Sequence, residues 1–137
     1  MTEKELSGLF YLNRETEWLQ KDLEKLEHSI GAKSPVLSHS PKGKGQRGIS
    51  DLAVEIADLK AVIQLNLIRI QRERARLERY INSIDDPEIR LIFRLRHING
   101  MTWREIGEEV YMSHMSAFNK HKSHLKNLQN LQEYVVL

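Results

Sequence analysis

Between Tyr111 and Gln132 the chain holds no acidic residue, while Lys120, Lys122 and Lys126 recur among His114, His121 and His124. Cations at helical spacing suit a polyphosphate partner, because each neutralised phosphate releases a condensed counterion. Asn119 carries the donor and acceptor that match an adenine edge. His114 can bond guanine, and Met115 can pack on a thymine methyl. Other chemistries fare worse. There is no cysteine, the acids are scattered, and Ser/His pairs fall in capping or loop contexts, so no catalytic constellation emerges. The chain reads as a non-enzyme with no cofactor and no small-molecule substrate. His121 and His124 lack the cysteines or carboxylate cluster of a metal site. Gly43-Lys44-Gly45-Gln46-Arg47-Gly48 lacks the Gly-Lys-Ser/Thr ending and the preceding strand of a phosphate loop, and reads as a basic linker.

A cationic helix reads a groove only if something holds it out rigidly. Thr102 and Glu105 have the Thr-x-x-Glu spacing of a capping box. Ser113 is a natural N-cap for the helix 114–128. Gly107 is small where two crossing helices would press together. The spacing predicts a helix, a turn and a second helix, the geometry that enters a major groove. Arg104, Ser113, Lys120, Lys122 and Lys126 are the candidate phosphate contacts. Pro87 opens a further helix with apolar Ile89, Ile92 and Phe93, and Asn99-Gly100 supplies its left-handed end. Trp103, Ile106, Gly107, Phe118 and Leu125, with Val110 and Leu128, are the expected core of this three-helix unit. Trp103 falls on an inner face, where packing is the better reading than binding.

Upstream, Leu9, Leu12, Thr16, Leu19, Leu23, Leu26 and Ile30 recur in steps of three and four, as in a coiled-coil seam. A second seam runs Ile49, Leu52, Ile56, Leu59, Ile63, Asn66, Ile70, Glu73, Leu77, Tyr80, Ile84. Ser50 is the expected cap of that helix, and Asp85-Asp86-Pro87 its stop. The expected fold is all-α: a long antiparallel helical hairpin over 1–84 with a basic loop at 31–49, then a helix-turn-helix unit over 85–132 and a tail at 133–137. Arg69, Arg72, Arg74, Arg76 and Arg79 wrap round their helix, so ion pairs with Glu15, Glu17 or Glu24 are expected rather than a DNA stripe. Val54, Val62, Leu67 and Ile68 add apolar surface beside the seam, which points to a homo-oligomer, a dimer being favoured.

The net charge is only +2, so the positive field is local to the loop and the last helix. The absence of cysteine excludes disulfides. No apolar run is long enough for a membrane span, and Met-Thr-Glu-Lys-Glu is too polar for a signal peptide. The expectation is a cytoplasmic protein.

Ile84-Asp85-Asp86-Pro87-Glu88-Ile89-Arg90, Leu95-Arg96-His97-Ile98-Asn99-Gly100 and Thr102-Trp103-Arg104-Glu105-Ile106-Gly107, with Ser113, Phe118 and His121, resemble the ArpU- and RinA-like late-gene regulators of Gram-positive phages. The C-terminal part of those proteins is similar to region 4 of bacterial sigma factors. The resemblance extends over most of the chain. It implies binding to double-stranded DNA and activation of phage late or packaging genes in a bacterial host cell; host RNA polymerase is a separate candidate partner. Carried over by position, His114, Met115, Ser116 and Asn119 would face base edges. Phe118, His121 and Lys122 would lie near the backbone or the supporting core. The chain departs from the sigma pattern at Tyr111, where Gly, Asn or Asp is usual and a positive φ would be strained. It departs also at Ala117 and Lys120, which replace larger apolar residues. His114-Met115 stands in place of the Arg-Glu pair that reads a promoter element, so recognition of a housekeeping promoter is not expected.

Two competitors share the outline. A small terminase subunit also joins a helix-turn-helix to a coiled-coil oligomerisation part. A protein-interaction module would instead grip RNA polymerase and touch DNA little.

Overall fold

The computed structural model describes residues 1–32 and 48–136, with side chains over 1–31 and 48–128. Among the described residues the chain is all-α, with α1 (Glu3–Ala32), α2 (Ile49–Asn82), α3 (Pro87–His97), α4 (Trp103–Glu109) and α5 (His114–Val136). Most of the expected basic loop lies outside the described residues. No described helix is long and apolar enough to cross a membrane. Two compact units divide the chain: Leu12–Arg69, and Met1–Tyr11 together with Ile70–Leu137. This division does not follow the expected boundary at residue 84. The first turns of α1 and the last turns of α2 belong with the C-terminal helices.

In the Leu12–Arg69 unit, α1 and α2 run antiparallel. Glu27 pairs with Lys60 at 3.5 Å, and Asn66 Nδ2 donates to Glu15 Oε1 at 2.6 Å, so ascending α1 matches descending α2. The seam residues Leu52 and Ile63 are buried, and so are the two polar members, Thr16 and Asn66. Each polar group is satisfied. Thr16 Oγ1 donates to the Leu12 carbonyl at 2.8 Å, and Asn66 Oδ1 accepts from Arg69 Nη1 at 3.3 Å. Buried polar groups cost little once bonded in this way, and a seam Asn favours one register.

In the other unit, Thr2 and Glu5 form a reciprocal capping box at the start of α1, with bonds of 2.7 and 3.2 Å. Leu6 and Leu9 then pack against Leu77, Ile81, Ile84, Phe93 and Leu125. Here Arg76 pairs with Glu5 at 2.7 Å. The expected arginine partners Glu15, Glu17 and Glu24 are not used in this way; Glu17 instead bonds Arg14 one turn away. The antiparallel register sets Arg76 opposite Glu5. Ser50 is likewise not a cap: it lies inside the first turn of α2, whose Leu52 N–H reaches the Gly48 carbonyl at 3.2 Å.

Asp86 caps α3, its side chain accepting from the Glu88 N–H at 2.8 Å, with Pro87 as the first helical residue. Gly100 ends α3 at φ +66, and the Met101 N–H reaches the Leu95 carbonyl at 3.0 Å. Ile92, Ile106 and Ala117, one from each of α3, α4 and α5, form a second buried cluster with Trp103, Val110 and Met112 at its rim. The turn between α4 and α5 closes over Gly107. A Cβ built there would stand 2.7 Å from the Met112 carbonyl oxygen and 3.0 Å from the His114 nitrogen, both backbone atoms that cannot swing aside.

Gly107→Ala should therefore destabilise the fold by about 1–3 kcal/mol, measured by thermal or urea unfolding followed by circular dichroism. Gly8→Ala, whose Cβ would meet only Glu73 Oε1 at 3.8 Å inside α1, should instead stabilise by about 0.5–1 kcal/mol.

Candidate nucleic-acid interface

The last helix is fastened at its start by two side-chain caps. Thr102 Oγ1 accepts from the Glu105 N–H at 3.2 Å and donates to the Glu105 carboxylate at 2.9 Å. Ser113 Oγ accepts from the Ser116 N–H at 3.1 Å, so the residue proposed for phosphate contact also caps α5. Between the caps, Tyr111 takes φ +57 with its side chain 96 % exposed. The turn bears that strained backbone because the Met112 N–H bonds the Gly107 carbonyl at 2.9 Å and the Val110 N–H bonds Ile106 at 2.9 Å.

Ala117, His121 and Leu125 are the buried face of α5. With 3.6 residues per turn, that turns Met115, Asn119 and Lys126 away from the buried face and sets Lys122 on its flank, about 100° round from His121, and all four are exposed. Ser116 and Asn119 line one shallow groove with Met115, Ser113 and Lys120. Sequence reasoning missed Ser123 and Asn127, which line the same groove; their offsets of four and eight from Asn119 were the available signal. His114 is exposed at the first turn of the helix.

The cations are not equivalent. Lys122 and Lys126 make no ion pair with a described residue. Glu3 borders the same hollow as both and offsets part of their field. Lys120 is paired with the Glu88 carboxylate, so its charge is already answered within the protein. Arg104 is exposed on α4, a helix that also bears Glu105, Glu108 and Glu109.

Of the expected core residues, Ile106, Gly107 and Leu125 are buried, whereas Trp103 and Phe118 are half-buried and meet edge to face at 5.4 Å. His121 sits deeper than either. It stacks on Phe93 with ring centroids 4.4 Å apart, and its Nε2 lies 2.7 Å from His97 Nε2. Such a contact needs one ring to donate and the other to accept, which requires at least one unprotonated nitrogen. Burial is the main force holding both rings neutral. It takes His97 from 6.5 to about 4, with the Arg96 charge adding and a Leu6 backbone hydrogen bond opposing. It takes His121 to about 3, helped by His97, Arg96 and His124. Arg96 itself bonds the Met101 carbonyl at 3.0 Å and lies 4.8 Å over the Trp103 ring. No group of three metal-ligating side chains occurs among the described residues.

Because both folded pKa values lie below the unfolded one, the stability these neutral rings confer is complete above about pH 6.5. It is lost as pH falls towards 4 and then 3. Unfolding free energy measured from pH 7.5 to 4.5 should decline below about 6.5, with a slope approaching 1.4 kcal/mol per pH unit for each proton taken up. His121→Leu should flatten that slope; an unchanged slope would remove the histidine pair as its source.

A family model described as protein of unknown function (DUF1492) matches residues 33–129. No curated protein and no solved structure matches the chain. The matched segment takes in all of α2, α3 and α4 and most of α5. With well over half of its length covered, the chain belongs to the DUF1492 family.

Proposed function

We propose that the protein is a sequence-specific double-stranded DNA-binding transcription regulator of the phage or prophage type, an activator of late or packaging genes. The supporting observation is the outward face of α5. Met115, Asn119, Lys122 and Lys126 share it, the two lysines making no ion pair with a described residue and facing only Glu3 across a hollow, on a helix capped at Ser113 and anchored along its other side. Free cations beside an amide and an apolar tip divide affinity from base choice. In this reading Lys122 and Lys126 contact phosphate, with Arg104 and Ser113 flanking. His114, Met115, Ser116 and Asn119 meet base edges. Lys120 contributes less than its charge suggests, because reaching phosphate means leaving Glu88. The histidine pair, with Phe93 and Trp103, is packing that holds the reading helix in place rather than a contact surface.

The test is fluorescence anisotropy on duplex DNA across a salt series, with a genomic fragment library to select a preferred site. Lys122→Ala should weaken binding to every duplex and reduce the slope of log K against log salt by about 1. Asn119→Ala should leave that slope unchanged and cost about 1–3 kcal/mol of discrimination at one base pair. Glu3→Gln, by unmasking the lysines, should tighten binding to all duplexes alike. Weak binding that ignores sequence, or identical behaviour of the Lys122 and Asn119 variants, would overturn the reading. In that event polymerase capture after nuclease treatment distinguishes a protein-interaction module, and a many-membered ring by mass distinguishes a packaging protein.

A further inference from the structure

In the Leu12–Arg69 unit, α2 has two apolar faces and α1 covers one of them. The covered face carries Leu52, Ile63 and Asn66. Half a turn away, Val54, Ala61, Leu65 and Ile68 form a second stripe, and Val54, Leu65 and Ile68 are 60 %, 46 % and 46 % exposed. A helix apolar on opposite sides belongs in the middle of a bundle, not at its edge. The covered side does little to offset this, since two of its four buried residues, Thr16 and Asn66, are polar.

The charges say what kind of partner fits. From Ile49 to Asp58 the ionised residues of α2 are all acidic: Asp51, Glu55 and Asp58. From Arg69 onward they are mainly arginine, at 69, 72, 74, 76 and 79, against Glu73 and Glu78; Arg74 and Arg76 are already paired with Glu78 and Glu5, which leaves Arg69, Arg72 and Arg79 to meet an acidic partner. Asp58 is exposed on the second stripe and makes no ion pair with a described residue. Arg69 is exposed at its other end. A parallel copy of α2 would set acid on acid, whereas an antiparallel copy sets acid on arginine at both ends. A two-fold axis between Ala61 and Leu65 also faces a small residue with a large one, twice over. We infer that the Val54–Ile68 face of α2 is a homodimer interface, in which two copies of this chain pair antiparallel about an axis between Ala61 and Leu65. The interface stands independently of any nucleic-acid binding by α5.

Sedimentation equilibrium of the full chain over a wide concentration range is the first measurement. A monomer–dimer equilibrium, with a dimer at micromolar concentration, is expected. Leu65→Arg should weaken dimerisation by about a hundredfold or more while circular dichroism keeps the helix content of the parent. Asp58→Arg should weaken it as well, and adding Arg69→Asp should restore it. The chain has no cysteine, so single-cysteine variants report geometry through a short bismaleimide cross-linker. Leu65→Cys should cross-link to its own copy. Val54→Cys should not, since an antiparallel pair separates the two Val54 positions by about 30 Å at 1.5 Å per residue. Cross-linking of both variants would mean parallel pairing and would overturn the inference. So would a monomer at high concentration, a larger ring, or a dimer indifferent to Leu65→Arg.

Discussion

A helix can present a chosen face only if its other face is held, and in this protein that hold is the burial of Ala117, His121 and Leu125. Ala117 closes against Ile92 and Ile106, and Leu125 reaches the cluster of Leu6, Leu77, Ile81 and Phe93. One stripe of α5 is thereby committed to two apolar clusters. Rotation by a single residue would turn the helix by about 100° and bring Lys122 or Phe118 inward. The cost of burying an unpaired ammonium makes that alternative prohibitive. The outward position of Met115, Asn119, Lys122 and Lys126 is thus a consequence of what lies behind them.

The same logic explains why two histidines occupy the interior. An aliphatic side chain at 121 could fill space, but it could not join α3 to α5 through a ring-to-ring hydrogen bond. His97 and His121 do so at 2.7 Å while both rings pack on Phe93 and His121 also meets Trp103 edge to face. They act as flat, nearly apolar groups as long as burial keeps them uncharged. Holding the start of α1 in the same unit matters here. Leu6 contributes both a buried side chain and a backbone contact to His97, so the N-terminal turns help to exclude water from the histidine pair.

Much of the architecture was legible in the residues. The three-four recurrence of Leu9, Thr16, Leu52, Ile63, Asn66 and Leu77 picked out positions that are buried, because helical period alone decides which residues share a side. Thr102, Ser113 and Gly100 were readable as punctuation, since capping depends on neighbours within a turn. Tyr111 could be flagged because its turn calls for a positive φ whatever residue fills it. Leu6 and Ile81 were missed. Each is buried by a helix distant in sequence, and neither lies on the simplest reading of the seam.

Local order was therefore determined by the sequence itself: the caps at Thr102 and Ser113, the end of α3 at Gly100, seam periodicity, the acid-free stretch of α5 and the small residue at the turn. Each depends on atoms a few residues apart, whose energies do not need the rest of the fold. The tertiary structure alone decided that Lys120 is answered by Glu88 and that Arg76 meets Glu5. It alone set the His121 ring against His97 and left one apolar side of α2 open. Pairings across long stretches of chain depend on register and on how helices cross, and those follow only when all the faces are packed at once.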